Sequence, residues 1–333
     1  MITPAISVDD FDVAVLPGMR ERLADVYREF RSVQAASQTA LTEPGLVAAR
    51  PACPCCARPA TDAVELFTKN DVAHVRCPGC QLVYTATVLV ETADADQYAD
   101  SAFMRAYVEL KRHPVYARLE GDKARYLLDR AAAHTSVHNV LDIGASTGAT
   151  MAAAVAAGFE AYGIEPDLAM AGPLGAEHRD RFATGYFPDD LPAGWPRFDV
   201  ITLLDVLEHM PDPVGFAASI RPALTDRGLL LVQVPNFDSL LVQLDGPANS
   251  TFCVGHWQHF TATTLTTVLA RAGFAPVELG NCISELDRIR AYPDDAVRAT
   301  TGRLCGAAFV PESPDELYRH GLGYKLYGVF QAM

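Results

Sequence analysis

The chain has little positive charge to offer. Against 41 acidic side chains stand 27 Lys and Arg, leaving a net charge of −14, so the summed field repels phosphate backbones and anionic bilayers unless a local patch opposes it. Neither nucleic acid nor membrane is expected as a partner. Long apolar runs are also missing: the longest, alanine-rich stretch at 149–159, falls well short of the roughly 18 residues a membrane span needs. The opening MITPAISVDDFDV lacks a basic segment followed by an apolar core, so the expected location is cytoplasmic. There is no internal repeat and no low-complexity tract. A disulfide framework is excluded by placement, because five of the eight cysteines crowd between Cys53 and Cys80 while Cys253, Cys282 and Cys305 are scattered. Such clustering suggests a metal.

What is present is enough apolar material, 50% of 333 residues, for one large core or a main domain with attachments. Leu23, Val26, Tyr27 and Phe30 recur at helical spacing within 18–40, which predicts an amphipathic helix in an N-terminal segment, 1–48. Its apolar stripe suits either the main domain or a second copy in a homodimer, and intramolecular packing is the commoner use. A Pro- and Gly-rich stretch closes that segment. A cysteine module (49–92) comes next, then two helices in 93–138, expected as a lid or linker and interrupted at Pro114, which cannot donate inside a helix. From Asn139 short apolar runs alternate with amphipathic segments, predicting an α/β domain (139–333) with a doubly wound parallel sheet. An irregular insert at about 283–320 precedes a closing strand, GYKLYGVF.

In the cysteine module, Cys53 and Cys56 form one CxxC pair and Cys77 and Cys80 a second, with 20 residues between them. Two such turns can deliver four thiolates to a tetrahedral Zn, which favours sulfur and needs no open position in a structural site. Iron could use the same ligands, but no other redox signal accompanies them. Cys55 would spoil the spacing and is read as a bystander. The pattern resembles a zinc ribbon. Across 51–84, Arg58, Lys69 and Arg76 balance Asp62, Glu65 and Asp71, so the module carries no electrostatic footprint for RNA. A structural or substrate-shaping role is expected.

VLDIGASTG places a strand ending near Asp142 before a small-residue turn, Gly144 to Gly148, and a helix of alanines. Such a turn lets a ligand approach the backbone and points helix amides at its polar groups. Glu165, ending the next strand in YGIEP, can accept hydrogen bonds from both hydroxyls of a ribose. GASTG lacks the GxGxxG spacing of a dinucleotide-binding dehydrogenase.

Together with FDVITLLDVLEHMPDP, GLLLVQVPN and HWQHFTATTLTTVLARAGF, these motifs make the chain resemble a class I S-adenosylmethionine-dependent methyltransferase from about Val140 onward. It also resembles, less tightly, a subgroup that carries a CPxC…CPxC ribbon ahead of the catalytic domain and tailors sugars or secondary metabolites. The resemblance implies a seven-stranded sheet with six parallel strands and the last antiparallel. It implies that Asp142, Gly144, Ala145, Ser146 and Gly148 hold the amino acid part of S-adenosylmethionine. Glu165, followed by Pro166, would hold the ribose, and Gly185, Tyr186 and Phe187 would flank adenine. Leu204 and Asp205 would lie beside the methionine moiety. Ser146 stands where Gly is common, and GYF replaces the usual acidic residue near the adenine amine.

Methyl transfer needs alignment and, for an alcohol, phenol or carbon acid, a base near neutral pH. His256 and His259, in GHWQHF with Trp257 and Phe260 as apolar walls, are the better candidates, and His209 in LEHMPDP is the third, with Glu208 to orient it. The bland alternatives are loop-bonded histidines or, for the pair, a second metal site. Tyr107, Tyr116 and Trp195 are candidates for the acceptor pocket, but a place in the core suits each better. The expected activity is methylation of a small molecule, a sugar nucleotide or natural-product intermediate, on oxygen or carbon. An RNA methyltransferase and a non-catalytic cofactor-binding scaffold are the rivals, the first opposed by charge and the second by the intact Asp142, Gly144, Gly148 and Glu165.

Overall fold

The computed structural model describes residues 45–90, 102–167, 170 and 180–333; the amphipathic stretch 18–40 lies outside them. Its centre is a seven-stranded sheet. The strands are β6 (Asn139–Ile143), β7 (Glu160–Glu165), β8 (Phe182–Thr184), β9 (Phe198–Leu204), β10 (Leu224–Pro235), β12 (Phe274–Cys282) and β13 (Lys325–Ala332). They lie in the order β12-β13-β10-β9-β6-β7-β8. β13 is antiparallel to both neighbours, and the other pairings are parallel. β6, β9 and β10 are buried along most of their length, which is why they read as continuous apolar runs.

Helices cover both faces. α1 (Ala102–Arg112) and α2 (Pro114–Ala132) come first. Pro114 starts α2 at its first position, where a missing N–H costs nothing, and the His113 ring accepts from the Val115 amide at 3.3 Å. Leu119, Ala124, Leu127, Leu128 and Ala131 of α2 pack with Val140, Val200, Leu231 and Val329 of the sheet. This helix is therefore core along one side. α3 (Ala149–Ala156) and α4 (Pro213–Ile220) follow β6 and β9. α5 (Leu240–Asp245) follows β10, and α6 (Ala262–Arg271) opens with a Thr261–Thr264 capping box.

The insert is not irregular. It forms α7 (Leu286–Ile289), α8 (Asp294–Cys305) and α9 (Pro314–Arg319). Leu286, Ile289, Val297, Leu317 and Tyr318 close a separate core against Leu240 and Leu241 of α5. Arg288 donates to Asp245 at 2.7 Å, and the Tyr292 hydroxyl donates to the same carboxylate.

The cysteine module is not a detached bead. β1 (Val47–Ala49) pairs with β5 (Thr87–Leu89). β2 (Val64–Lys69), β3 (Val72–Arg76) and β4 (Val83–Thr85) form a meander, with Asn70 and Asp71 both left-handed in a two-residue hairpin turn. A fourth strand, β11 (Gln258–His259), comes from the main domain and pairs with Val83 and Tyr84. The Thr85 amide donates to the Trp257 carbonyl at 3.0 Å, and the Trp257 amide donates to the Glu208 carbonyl at 2.8 Å. Below this seam, Cys53, Cys77, Leu82 and Tyr84 join Leu141, Leu203, Phe260 and Leu265 in one core.

Trp257 is 1% exposed and packs with Leu89. Trp257→Ala is expected to cost about 3–5 kcal/mol, measured by urea unfolding.

Candidate functional site

In open parallel sheets the ligand crevice lies beyond the C-terminal strand ends, and the predicted residues converge there. A cleft is lined by Asp142, Gly144, Ala145, Ser146, Thr147, Thr150 and Leu204, and by Lys111, Glu120 and Lys123 from α1 and α2. Gly144 has φ 75°, and a Cβ there would meet Val206 at 2.7 Å. Ser146 has φ 49°, which is the physical reason glycine is favoured at that place. The Ser146 amide donates to Glu165 at 2.8 Å and the Asp167 amide at 3.0 Å. Each Glu165 oxygen thus keeps a lone pair, and the buried Ser146 hydroxyl has no partner, so polar capacity suited to a ribose or amino acid moiety remains.

Burial raises Asp142 to about 7, although Thr202 donates to it at 2.5 Å. Glu165 is raised by burial as well. Opposite them, burial would raise Asp205, but Lys325 at 2.5 Å and Lys123 at 3.6 Å hold it well below the carboxylate range. Glu120 is lowered to about 2, burial being overridden by Lys111 at 3.3 Å and Lys123 at 2.9 Å. The Lys111 ammonium also lies over the Tyr107 and Tyr116 rings, 5.4 and 5.2 Å from their centroids.

Past Asp205, in the turn after β9, a metal-competent group forms. Glu208, His209 and His256 each bring one ligand atom within 4.8 Å of the others, with the two imidazoles edge to face at 4.7 Å. Burial holds His209 down at about 4 and His256 well below its usual value. Burial, then Asp205, pushes Glu208 well up. Both imidazoles are therefore neutral at pH 7 and offer a lone pair.

The second metal-competent group is the cysteine set. The four sulfurs of Cys53, Cys56, Cys77 and Cys80 lie within 4.8 Å, with Cys53 and Cys80 at 3.5 Å and Cys56 and Cys77 at 3.4 Å. The Ala57 amide donates to the Cys53 carbonyl and the Gln81 amide to the Cys77 carbonyl. Ala57 and Gln81 are both left-handed, so the two knuckles repeat one geometry. Sulfurs about 2.3 Å from a tetrahedral Zn would stand about 3.8 Å apart, close to the observed spacing. The donor set fits that ion.

A family model described as a methyltransferase domain matches residues 112–279, half of the chain. The chain belongs to that family. No curated protein matches it. Among solved structures, the CcbJ methyltransferase of Streptomyces caelestis is 14% identical (64% of this chain, 95% of that chain, TM-score 0.40). A 1,6-didemethyltoxoflavin-N1-methyltransferase of Burkholderia thailandensis is 18% identical (81% and 100%, TM-score 0.45). An S-adenosylmethionine-dependent methyltransferase of Clostridium acetobutylicum ATCC 824 is 8% identical (69% and 98%, TM-score 0.44).

In this methyltransferase, Asp142, Gly144, Ala145, Ser146 and Leu204 share one cleft wall, and Glu165 reaches it through Ser146. Gly148 caps α3, and Pro166 turns the chain after β7. Tyr186 is 49% exposed while Phe187 is buried against Phe216. Four residues on, the Asp190 carboxylate accepts from the Tyr186 amide at 2.8 Å. His256 and His209 meet, but His259 does not join them. It is 3% exposed at the cysteine module, 2.9 Å from the His74 ring and against Phe252. Trp195 packs edge-on to Tyr162 and Phe198. Lys111, Glu120, Lys123 and Lys325 escaped the sequence reading: charges on an amphipathic helix read as a solvated face, and Lys325 stands alone at the start of a strand. One signal was available: Glu120 and Lys123 sit where the α2 stripe would otherwise be apolar.

Asp142 binds a proton more tightly folded than its usual 3.8, so its stabilising protonation is lost as pH rises from about 4 to 7. Asp142→Asn should be more stable than wild type by a margin that grows across that window, at most about 4 kcal/mol. Urea unfolding at pH 5 and pH 8 checks this, and a constant difference contradicts the burial account.

Proposed function

We propose that the chain transfers a methyl group from S-adenosylmethionine to a small-molecule acceptor, a sugar nucleotide or natural-product intermediate, on oxygen or carbon. The observation that carries this reading is the pair of imidazoles, His209 and His256, edge to face at 4.7 Å beside Asp205 where β9 meets the cleft. The cofactor, when bound, supplies an electrophilic methyl on a sulfonium. Gly144, Ala145 and Ser146 present backbone to its amino acid part, Asp142 faces its cationic groups, and Glu165 takes the ribose hydroxyls. Lys123 and Lys111 line the same cleft and suit its carboxylate. Tyr186 and Phe187 flank adenine, and Leu204 with Asp205 border the methionine moiety.

At the acceptor end, His256 is the base we assign, with His209 packed against it. A neutral imidazole can accept the acceptor's proton as its oxygen or carbon attacks, which contributes about 10²–10⁴-fold. Burial keeps water from competing, and holding nucleophile and methyl in line contributes up to about 7–11 kcal/mol. His259 is assigned to the seam with the cysteine module instead. The module, about 49–92, is a structural zinc ribbon in this reading, because its sulfur spacing closes a tetrahedron and its core is shared with the main domain.

Calorimetric titration with S-adenosylhomocysteine tests the cofactor assignment, with micromolar binding expected and no binding at millimolar ligand overturning it. Glu165→Ala should lose most of that affinity. His256→Ala should retain it while acceptor-dependent release of S-adenosylhomocysteine falls about 10²–10⁴-fold. Cys77→Ser should lose the ribbon's zinc and lower the melting temperature.

A further inference from the structure

The Glu208 carboxylate is 1% exposed, yet neither of its oxygens has a hydrogen-bond partner. Burying such a group without a formed hydrogen bond is unfavourable; the Lys325 charge acts on it, but that ammonium is bonded to Asp205 at 2.5 Å, and Asp205 is itself a second acid against Glu208. The buried Nδ1 of His256 is also without a partner. Ring nitrogens of His209 and His256 and an oxygen of Glu208 form one group within 4.8 Å. The Gly255 carbonyl stands beside the His209 ring and the Thr251 carbonyl beside the His256 ring. An imidazole that donates to a carbonyl on one side presents its lone pair on the other, the arrangement that orients metal-bound histidines.

We infer that Glu208, His209 and His256 form a second metal site, distinct from the four cysteines, which takes a divalent zinc-class ion. Two imidazoles and one carboxylate suit such an ion and leave coordination positions open, unlike a closed four-cysteine site. Ligand distances of about 2.0–2.2 Å put tetrahedral donors about 3.3–3.6 Å apart, so the side chains close by small rotations onto the ion. Its charge satisfies the Glu208 oxygens and the His256 nitrogen together.

The inference rests on the reading that this group is the acceptor end of the site. An open position there fits an acceptor oxygen, whose proton a bound cation makes easier to remove. Coordination and proton acceptance by one His256 nitrogen exclude each other, so in the metal-bound form the acceptor oxygen would bind the ion as its oxyanion, its proton passing to solvent water, and would attack the methyl as the methyl–sulfur bond breaks.

The test is zinc content of the full chain after dialysis against zinc-buffered solution, in wild type, Glu208→Gln and His256→Gln. Wild type should hold one equivalent more than either variant. Equal content in all three overturns the site, whatever the cysteines hold, because only the difference counts. S-adenosylhomocysteine binding by the variants reports that they fold. Should they not fold, zinc X-ray absorption of wild type decides: a mixed sulfur and nitrogen/oxygen shell supports the site, and a sulfur-only shell overturns it. Equal content with cofactor binding intact would remove the metal and leave the methyltransferase reading standing.

Discussion

The placing of His209 against His256 hangs on one short strand pair. Gln258 and His259 add a fourth strand to the cysteine module's sheet, and the residues around them are tied to the turn after β9. The Trp257 amide reaches the Glu208 carbonyl, and the Gln258 side chain reaches the Leu207 and Met210 carbonyls. From the other side, Arg50 donates to the Pro211 carbonyl at 2.9 Å. The loop that carries His256 and the turn that carries His209 are thus held by the same backbone bonds that dock the module. Backbone groups buried in such a seam must find partners. Moving the loop would orphan several at once, and this fixes the two imidazoles against each other.

The second constraint is charge taken out of water. Lys111, Lys123 and Lys325 meet Glu120 and Asp205 in a network in which Lys123 is 3% exposed. Buried ion pairs of this kind seldom repay their desolvation relative to apolar packing. Their place in the fold gives another reason for them. The network spans α1, α2, the end of β9 and the start of β13, so it draws four chain segments to one cleft and sets its local field. Asp205 adopts φ 58° to present its carboxylate to two ammonium groups, a strained backbone that a turn at a binding site tolerates better than a plain connection.

The sheet was legible because its strands carry their burial in their composition. NVLDI, FDVITLL and LLLVQV could only be central parallel strands, and FAPVELGNC and GYKLYGVF fell almost on β12 and β13. The wall of the cleft at the end of β6 was legible for a related reason, since small residues and a strand-end carboxylate are backbone requirements written as residue types. The helices of the insert were missed although Pro293–Asp294–Asp295 and Ser313–Pro314 are helix openings. Their amphipathic stripes are too short to outweigh the prolines. The role of His259 was not legible at all. A two-residue strand has no period, and its partner, His74, lies 185 residues away.

That distance explains why the module is where it is. A ribbon of some forty residues cannot bury enough apolar surface to stand without a staple, and here the shortfall is met twice. Four thiols converge on one point, and Leu82 and Tyr84 are lent to the core beneath the main sheet. Because the module's sheet ends in β11, whatever stabilises the module also stabilises the conformation of the loop that carries His256. An ion that binds the folded four-cysteine site therefore shifts that loop toward its ordered form by mass action. Order at His256 and order at Cys77 are two readings of one equilibrium, joined through Val83, Tyr84, Gln258 and His259.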